Sequence, residues 1–407
     1  MTRPSSTAEN AREIQDELVR LRRALHQEPE IGLDLPRTQE LLLAALDGLP
    51  LEVTLGKDLS SVTAVLRGGR PGGAVLLRAD MDALPVAEDS GEDFASRHPG
   101  RMHACGHDLH VAGLVGAARL LSADRAGLSG DVVFMFQPGE ESHHGASAMI
   151  AEGVLDAAGK PLDAAYALHV FSNSVPTGTI AGRPGPVLAA ADQFIVAVNG
   201  RGGHGSMPHF AKDPVPVICE IVTALHAYVT RTFDIFDPVV VTVGSLHAGT
   251  QANIIPQTAE FQATVRSYSP ANQDRLMTEL PRLAQGIAAA HGVDVEARYT
   301  IGYPVTVNDE EETRFALHTA RELYGEPLEL AHPIAGAEDF SLVLRRVPGA
   351  MLLVGAVPEG VDPASAPMNH APQARFDDAV LHRQAALLAQ LATDRLARTG
   401  GGDTGRS

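Results

Sequence analysis

Apolar residues Ile14, Leu18, Leu21 and Leu25 recur at helical spacing, so residues 9 to 27 are expected to form a surface helix with its stripe turned inward. Ala74 to Leu77 is a short apolar run that ends in Arg78-Ala79-Asp80-Met81-Asp82-Ala83-Leu84-Pro85, which reads as a buried strand opening into an acidic loop. A helix over 109 to 122 and strands over 131 to 136 and 164 to 170 follow, each beside a polar cluster. Alternating strands and helices with polar residues past the strand ends point to an α/β domain whose site lies at the carboxyl edge of a sheet. At Gly182-Arg183-Pro184-Gly185-Pro186 the texture changes. Beyond it the pattern is strand (195 to 198), helix (215 to 230), strands (239 to 243 and 259 to 267), helix (271 to 291) and strand (293 to 300). After Tyr303-Pro304 the α/β texture returns, so an α+β module is inserted in the first domain. The boundaries drawn are 1–186 and 302–397 for the α/β domain, 187–301 for the insertion, and 398–407 for a Gly-rich tail expected to be disordered.

The length of 407 residues agrees with more than one domain. No apolar stretch approaches a membrane span, and the start MTRPSSTAEN runs into acidic residues, so a cytoplasmic protein without membrane partners is expected. The formal net charge of -18 opposes nonspecific nucleic-acid binding, so an anionic ligand needs a few local cations. Two cysteines are too few for a disulfide framework, and Cys219, among Val217, Ile218 and Ile221, is expected to be core. Against that scarcity stand 17 histidines, several in Gly-rich or acidic stretches where no core demands them.

The densest such stretch is Met102-His103-Ala104-Cys105-Gly106-His107-Asp108-Leu109-His110. Cys105 and His107 flank a glycine, so a bent loop turns both toward one point, and thiolate with imidazole suits zinc, manganese, cobalt or nickel. Taken alone, the segment reads equally as a buried cysteine beside an N-capping Asp108. Phe136-Gln137-Pro138-Gly139-Glu140-Glu141 places adjacent carboxylates just after an apolar strand, where neighbouring side chains diverge. One serves a metal and the other its water, the division of labour a hydrolytic site needs. His169 ends an apolar run and His370 lies between Pro367 and Pro372; with Cys105, His107 and Glu141 they make five donors, enough for two metal ions. His204, held on Gly202, Gly203 and Gly205, lacks the lysine a phosphate loop requires and is placed to donate to an oxyanion. Asn253 and Arg266, beside strand-like runs, suit a carbonyl and a carboxylate, although a turn asparagine and a surface ion pair are their ordinary readings. Zincin, zinc-deaminase and serine-hydrolase signatures are absent from the sequence.

Together with Leu168-His169-Val170, Gly202-Gly203-His204-Gly205-Ser206, Ala252-Asn253-Ile254-Ile255-Pro256, Gly336-Ala337-Glu338-Asp339-Phe340-Ser341 and Asn369-His370-Ala371-Pro372, these segments resemble the M20 metallopeptidases, in family order, from about residue 12 to 395. The similarity is to the amidohydrolase branch, with hippurate hydrolases, N-acyl-amino-acid aminoacylases and auxin-conjugate hydrolases. The resemblance implies a two-domain α/β fold, in which a mixed-sheet metallopeptidase domain carries an inserted α+β dimerisation or lid domain. It implies two divalent ions on Cys105, His107, Glu141, His169 and His370, with Glu140 as general base and acid. Asp82 matches an aspartate that orients a ligand, while Asp80, where the wider family has a metal-binding histidine, is not counted as one. The inserted domain would form a homodimer or higher homo-oligomer and lend His204 to the partner's site, Asn253 and Arg266 addressing the substrate. The expected reaction is hydrolysis of an N-acyl-amino acid or similar small amide; a dipeptidase, a carbamoylase and a non-catalytic binding protein are the alternatives. Ser142-His143-His144-Gly145 replaces a glycine-rich stretch of the family, leaving the roles of His143 and His144 open.

Overall fold

The computed structural model describes residues 4–400, which divide into two compact units. The first takes in the chain through Gly185, Val307–Ala331 and the chain from Leu342 onward. Its centre is an eight-stranded sheet, ordered Leu51–Leu55, Val62–Arg67, Ser129–Gln137, Arg70–Asp80, Ala164–Phe171, Gly349–Gly355, Ile180–Gly182 and Leu328–Glu329. The sheet is mixed: Arg70–Asp80 runs parallel to both neighbours, and Val62–Arg67 pairs antiparallel with Ser129–Gln137. Its middle strands read as unbroken apolar runs because they are buried on both faces, Ala74 to Asp80 and Val132 to Gln137 being almost fully covered.

Helices Gln15–Gln27, His107–Ala123 and Leu381–Gly400 bury Leu18, Leu25, Leu114 and Leu388 in the core that covers this sheet. The stripe expected over 9 to 27 falls on two helices, Pro4–Glu13 and Gln15–Gln27, joined at Ile14, whose carbonyl accepts from both Glu17 and Leu18 amides. The last helix continues to Gly400, so residues 398–400 are helical rather than part of a disordered tail. The rest of that expected tail, 401–407, lies outside the described residues.

The second unit spans Pro186–Thr306 and His332–Ser341, so a segment distant in sequence joins the insertion. It has a four-stranded antiparallel sheet, ordered Val239–Ala248, Thr258–Ser267, Ala191–Asn199 and Asp294–Tyr303. Two helices, Pro214–Thr232 and Pro270–Ala290, pack Ile218, Ile221, Leu225, Leu276 and Leu280 against Phe194, Val196, Phe261 and Val265. Each begins with proline after a capping side chain, Asp213 accepting from the Val215 amide and Ser269 from that of Asn272. Cys219, expected in this core, is exposed instead: Val217, Ile218 and Ile221 take the buried stripe and leave it on the outer face.

Candidate metal centre

The acidic part of the site comes from neighbouring strand ends in the first unit. Arg70–Asp80 opens into the loop carrying Asp82, which is buried, and Ser129–Gln137 runs into Pro138-Gly139-Glu140-Glu141. Asp82 grips that turn: its Oδ1 accepts the Glu140 amide at 2.9 Å and its Oδ2 the Glu141 amide at 3.0 Å. Its own carbonyl accepts Nδ1–H of His107 at 2.8 Å. One buried residue therefore sets the backbone of both glutamates and leaves the lone pair of His107 on Nε2.

Cys105 and His107 meet because the chain reverses at Gly106. This residue caps the helix His107–Ala123 with φ 86°, and a Cβ there would overlap Val170 Cγ2 and come within 3.1 Å of Phe376. His169, on Ala164–Phe171, donates Nδ1–H to the Val170 carbonyl at 2.8 Å and turns Nε2 toward the Cys105 sulfur, 3.4 Å away. His370 brings Nε2 to 3.2 Å from that sulfur and 3.2 Å from Glu141 Oε1. Its φ of 72° lies in the left-handed region, a conformation that costs a non-glycine residue about 1 to 2 kcal/mol. The loop is pinned against that cost. The His370 amide donates to the Ala104 carbonyl at 2.9 Å, and the Asn369 amide group donates to the carbonyls of Cys105 at 3.1 Å and Val170 at 3.0 Å.

The field of the site favours positive charge. Contact with Cys105 and then Glu141 raises His370 to about 10, in spite of its partial burial. Burial lowers His107, but Asp80 and Cys105 outweigh it and hold this group well above its usual value. For Glu141, burial works upward, and His370 with His107 brings the carboxyl below its usual range. Burial and then His110 push His169 well down, leaving a neutral imidazole of the kind a metal binds.

The donor set fits a pair of ions. The ligand atoms of Cys105, His107 and His169 lie within 4.8 Å of one another, as do those of Cys105, Glu141 and His370, so two groups share one sulfur. His107 Nε2 is buried without a hydrogen-bond partner, an orphan that costs about 1 to 3 kcal/mol unless something coordinates it. Thiolate, imidazole and carboxylate together suit borderline divalent metals. Glu140 is buried at 6% exposure and joins His107 and Glu141 in a further close group.

The second unit holds the other expected residues. His204 and Asn253 share a small hairpin, in which Gly203–His204 pairs with Ile254–Ile255 and the Gly205 amide donates to the Asn253 carbonyl at 2.8 Å. The Ser206 amide donates to His204 Nδ1 at 3.2 Å, which puts the ring proton on the exposed Nε2. Arg266, on Thr258–Ser267, is half-buried and has no carboxylate partner among the described residues, so the surface ion pair does not form.

The model of the peptidase family M20/M25/M40 matches residues 76–394. The chain belongs to this family. Thermostable carboxypeptidase 2 of Saccharolobus solfataricus is 37% identical to it over 85% of this chain and 87% of that one. The N-acyl-L-amino acid amidohydrolase of Geobacillus stearothermophilus is 35% identical over 79% of this chain and 86% of its own length. A Bacillus subtilis crystal structure, described as a dinuclear metal binding peptidase from the M20 family, superposes with a TM-score of 0.83 at 30% identity, covering 95% of this chain and 99% of that one. The present M20 chain is an amidohydrolase, and its donor groups together with the dinuclear relative support two divalent metal ions.

Sequence reasoning missed the supports of this M20 centre. Asp108 caps nothing; it is fully buried, 2.8 Å from Arg22 Nε and 2.7 Å from His26 Nδ1, tying the helix Gln15–Gln27 to the first turn after His107. His26 reaches on to Glu88 at 3.1 Å. Asn369, passed over beside His370, joins Cys105 to Val170. A polar residue between two prolines was the available signal for Asn369, and His110 at i+3 from His107 was the signal for a second helical histidine. His143 and His144 are exposed, with the His143 ring over Gly32 and His144 at φ 57° before the helix Gly145–Ala151.

Proposed function

We propose that this M20 hydrolase cleaves N-acyl-amino acids to an amino acid and a carboxylic acid, with Glu140 as general base and then general acid. The observation that carries the reading is the Glu140–Glu141 turn clamped by Asp82: adjacent carboxylates are fixed from one side, one beside His370 and the other buried next to it. Cys105, His107, Glu141, His169 and His370 would hold two ions of zinc, manganese, cobalt or nickel. When bound, such ions acidify water and polarise a carbonyl. Glu140 takes the proton of the attacking water and returns it to the leaving amine. His204 donates Nε2–H to the developing oxyanion, a role its Ser206-occupied Nδ1 supports. Asn253 polarises the amide carbonyl, and Arg266, without a carboxylate of its own, pairs with that of the substrate.

Two broader readings accompany this one. The enzyme is cytoplasmic, supported by the two cysteines both being free. It acts as a homodimer, each copy lending His204 to the other; the edge strand Val239–Ala248, with Val240 and Leu246 exposed, is a suitable pairing surface. A fully active monomer in light scattering would rule that out.

The Glu140→Ala protein should keep its metal content by elemental analysis and lose turnover by about 10²- to 10⁴-fold. Turnover near that of the parent would dismiss Glu140. The 37% identity to a thermostable carboxypeptidase favours a second reading, in which the acyl group is a peptide. Rates on N-acetyl-amino acids, hippurate, N-blocked peptides, dipeptides and N-carbamoyl-amino acids separate these substrates.

A further inference from the structure

Another close group of metal-ligand atoms, Asp80, His107 and His110, lies in the same unit, yet its bonding differs from that of the two groups that share the Cys105 sulfur. Asp80 is fully buried with both oxygens engaged: Oδ2 faces Arg78 Nη1 at 2.5 Å and Oδ1 accepts His110 Nδ1–H at 2.5 Å. His110 is also spent, because the amide of Val170 donates to its Nε2 at 2.9 Å. Within this group His107 Nε2 alone makes no hydrogen bond, standing 3.6 Å from Asp80 Oδ2.

The bonds form a rail across the carboxyl edge of the sheet. It begins at Gln137, whose Oε1 accepts Arg78 Nε–H at 2.9 Å, and runs through Arg78, Asp80 and His110 to the Val170 backbone. Each stop adjoins a residue of the centre. Gln137 comes three before Glu140, Asp80 two before Asp82, Val170 one after His169, and His110 one helical turn after His107. The ladder between Arg70–Asp80 and Ala164–Phe171 is registered from Val75↔Ala164 to Arg78↔Ala167, so Val170 lies past its last rung. A side chain takes over there: His110 receives the Val170 amide, and its ring lies 4.8 Å from that of His169 and 5.4 Å from that of His107.

We propose that His110, oriented by Asp80, is a positioning residue that holds the helix start bearing His107 and the strand end bearing His169 at metal-binding separation before an ion arrives. Asp80 thus supports the centre from behind without being a ligand. This inference rests on the metal reading of Cys105, His107 and His169, so its test examines both.

The probe is Co²⁺ titrated into the full-length metal-free protein, followed by its d–d bands and the thiolate-to-cobalt charge-transfer band of Cys105. The parent should take two equivalents with a charge-transfer band that Cys105→Ser removes. His110→Phe keeps a ring but neither hydrogen bond; it should weaken Co²⁺ binding about 10- to 100-fold, the range for lost support of a ligand. Exchange of the Val170 amide should quicken in the metal-free variant. His110→Gln, with one donor and one acceptor, should recover most of the affinity. Unchanged affinity in His110→Phe, or no recovery in His110→Gln, would overturn the positioning role. So would a third bound equivalent lost in His110→Phe, since His110 would then be a ligand. Should His110→Phe not fold, Asp80→Asn reads the same loss from the other end of the bond, and parental affinity there overturns the proposal. A parent without the charge-transfer band overturns the metal reading and the positioning role with it; a normal parent beside an unaffected variant overturns the positioning role alone.

Discussion

Replacing Gly106 with alanine adds one methyl group between Cys105 and His107, and its cost has two separable parts. The backbone stands at φ 86°, where an L-residue loses about 1 to 2 kcal/mol. The new Cβ would also overlap Val170 Cγ2 and lie 3.1 Å from Phe376 Cε1, a buried clash of the kind that costs about 1 to 3 kcal/mol. The sum is about 2 to 5 kcal/mol. Gly153 provides the control, because its φ is 93° and no heavy atom lies within 4 Å of its added Cβ. Gly153→Ala pays only the backbone part, so the two variants should differ by about 1 to 3 kcal/mol in calorimetric unfolding of the first unit. The clash falls on Val170, the neighbour of His169, so it also disturbs the ligands. Any ligand of the native state stabilises it in proportion to how far its concentration exceeds its Kd. The rise in Tm on adding Zn²⁺ to metal-free protein should therefore shrink in Gly106→Ala and stay at the parental size in Gly153→Ala. Equal destabilisation of the two variants, or a parental zinc response in Gly106→Ala, would refute the reasoning.

His204→Ala should lower kcat about 10²- to 10³-fold at unchanged metal content, the usual loss of one oxyanion donor; parental kcat would end that assignment. Arg266→Ala should raise KM for substrates with a free carboxylate and leave amide-capped analogues unaffected, whereas equal effects on both would point to a structural role. Burial lowers the His26 imidazole, but Asp108 and then Glu88 reverse this and raise it above 6.5. His26 therefore stabilises the fold fully below pH 6.5 and loses its contribution as pH rises through the raised value. The Tm gap between parent and His26→Gln should be widest at pH 6 and narrow toward alkaline pH; a gap constant with pH would contradict the ion pair. Asp108 has the opposite sign. Burial raises its carboxyl, and Arg22 with His26 holds it far below the usual range, so the gap between parent and Asp108→Asn should close only as pH falls below about 4.

The sheet was legible where burial on both faces leaves a continuous apolar run, as in Val132 to Phe136 and Ala164 to Leu168. The first helices were legible as a stripe but not as two pieces, because the break at Ile14 leaves Leu18 and Leu25 inward on one side of it and changes no residue type. Cys219 was misread from its apolar neighbours. Helical periodicity gives the right answer there, since Val217, Ile218, Ile221 and Leu225 already fill the inner face. His332–Ser341 offers no comparable pattern; its place in the second unit depends on contacts such as the Ala189 amide with the Gly336 carbonyl at 2.9 Å.

At the metal centre, the donors were readable because thiol, imidazole and carboxylate declare their chemistry wherever they stand. Their supports declare nothing, because what defines them is a partner remote in the chain. His26 meets Asp108 across 82 positions, Val170 meets His110 across 60, and Asn369 meets Cys105 across 264. These groups are ordinary when exposed and costly when buried: Asp108 is an acid at a helix start until Arg22 and His26 close on it, and Asp80 is an acid at a strand end until Arg78 and His110 take its oxygens. Asp80 therefore does more than close a strand end. It supplies an acceptor for His110, and it puts a negative charge beside His107, an imidazole that also answers to Cys105. Asp80 therefore shapes the centre from behind, through Arg78 and His110, while Cys105 gathers His169 and His370 at its front.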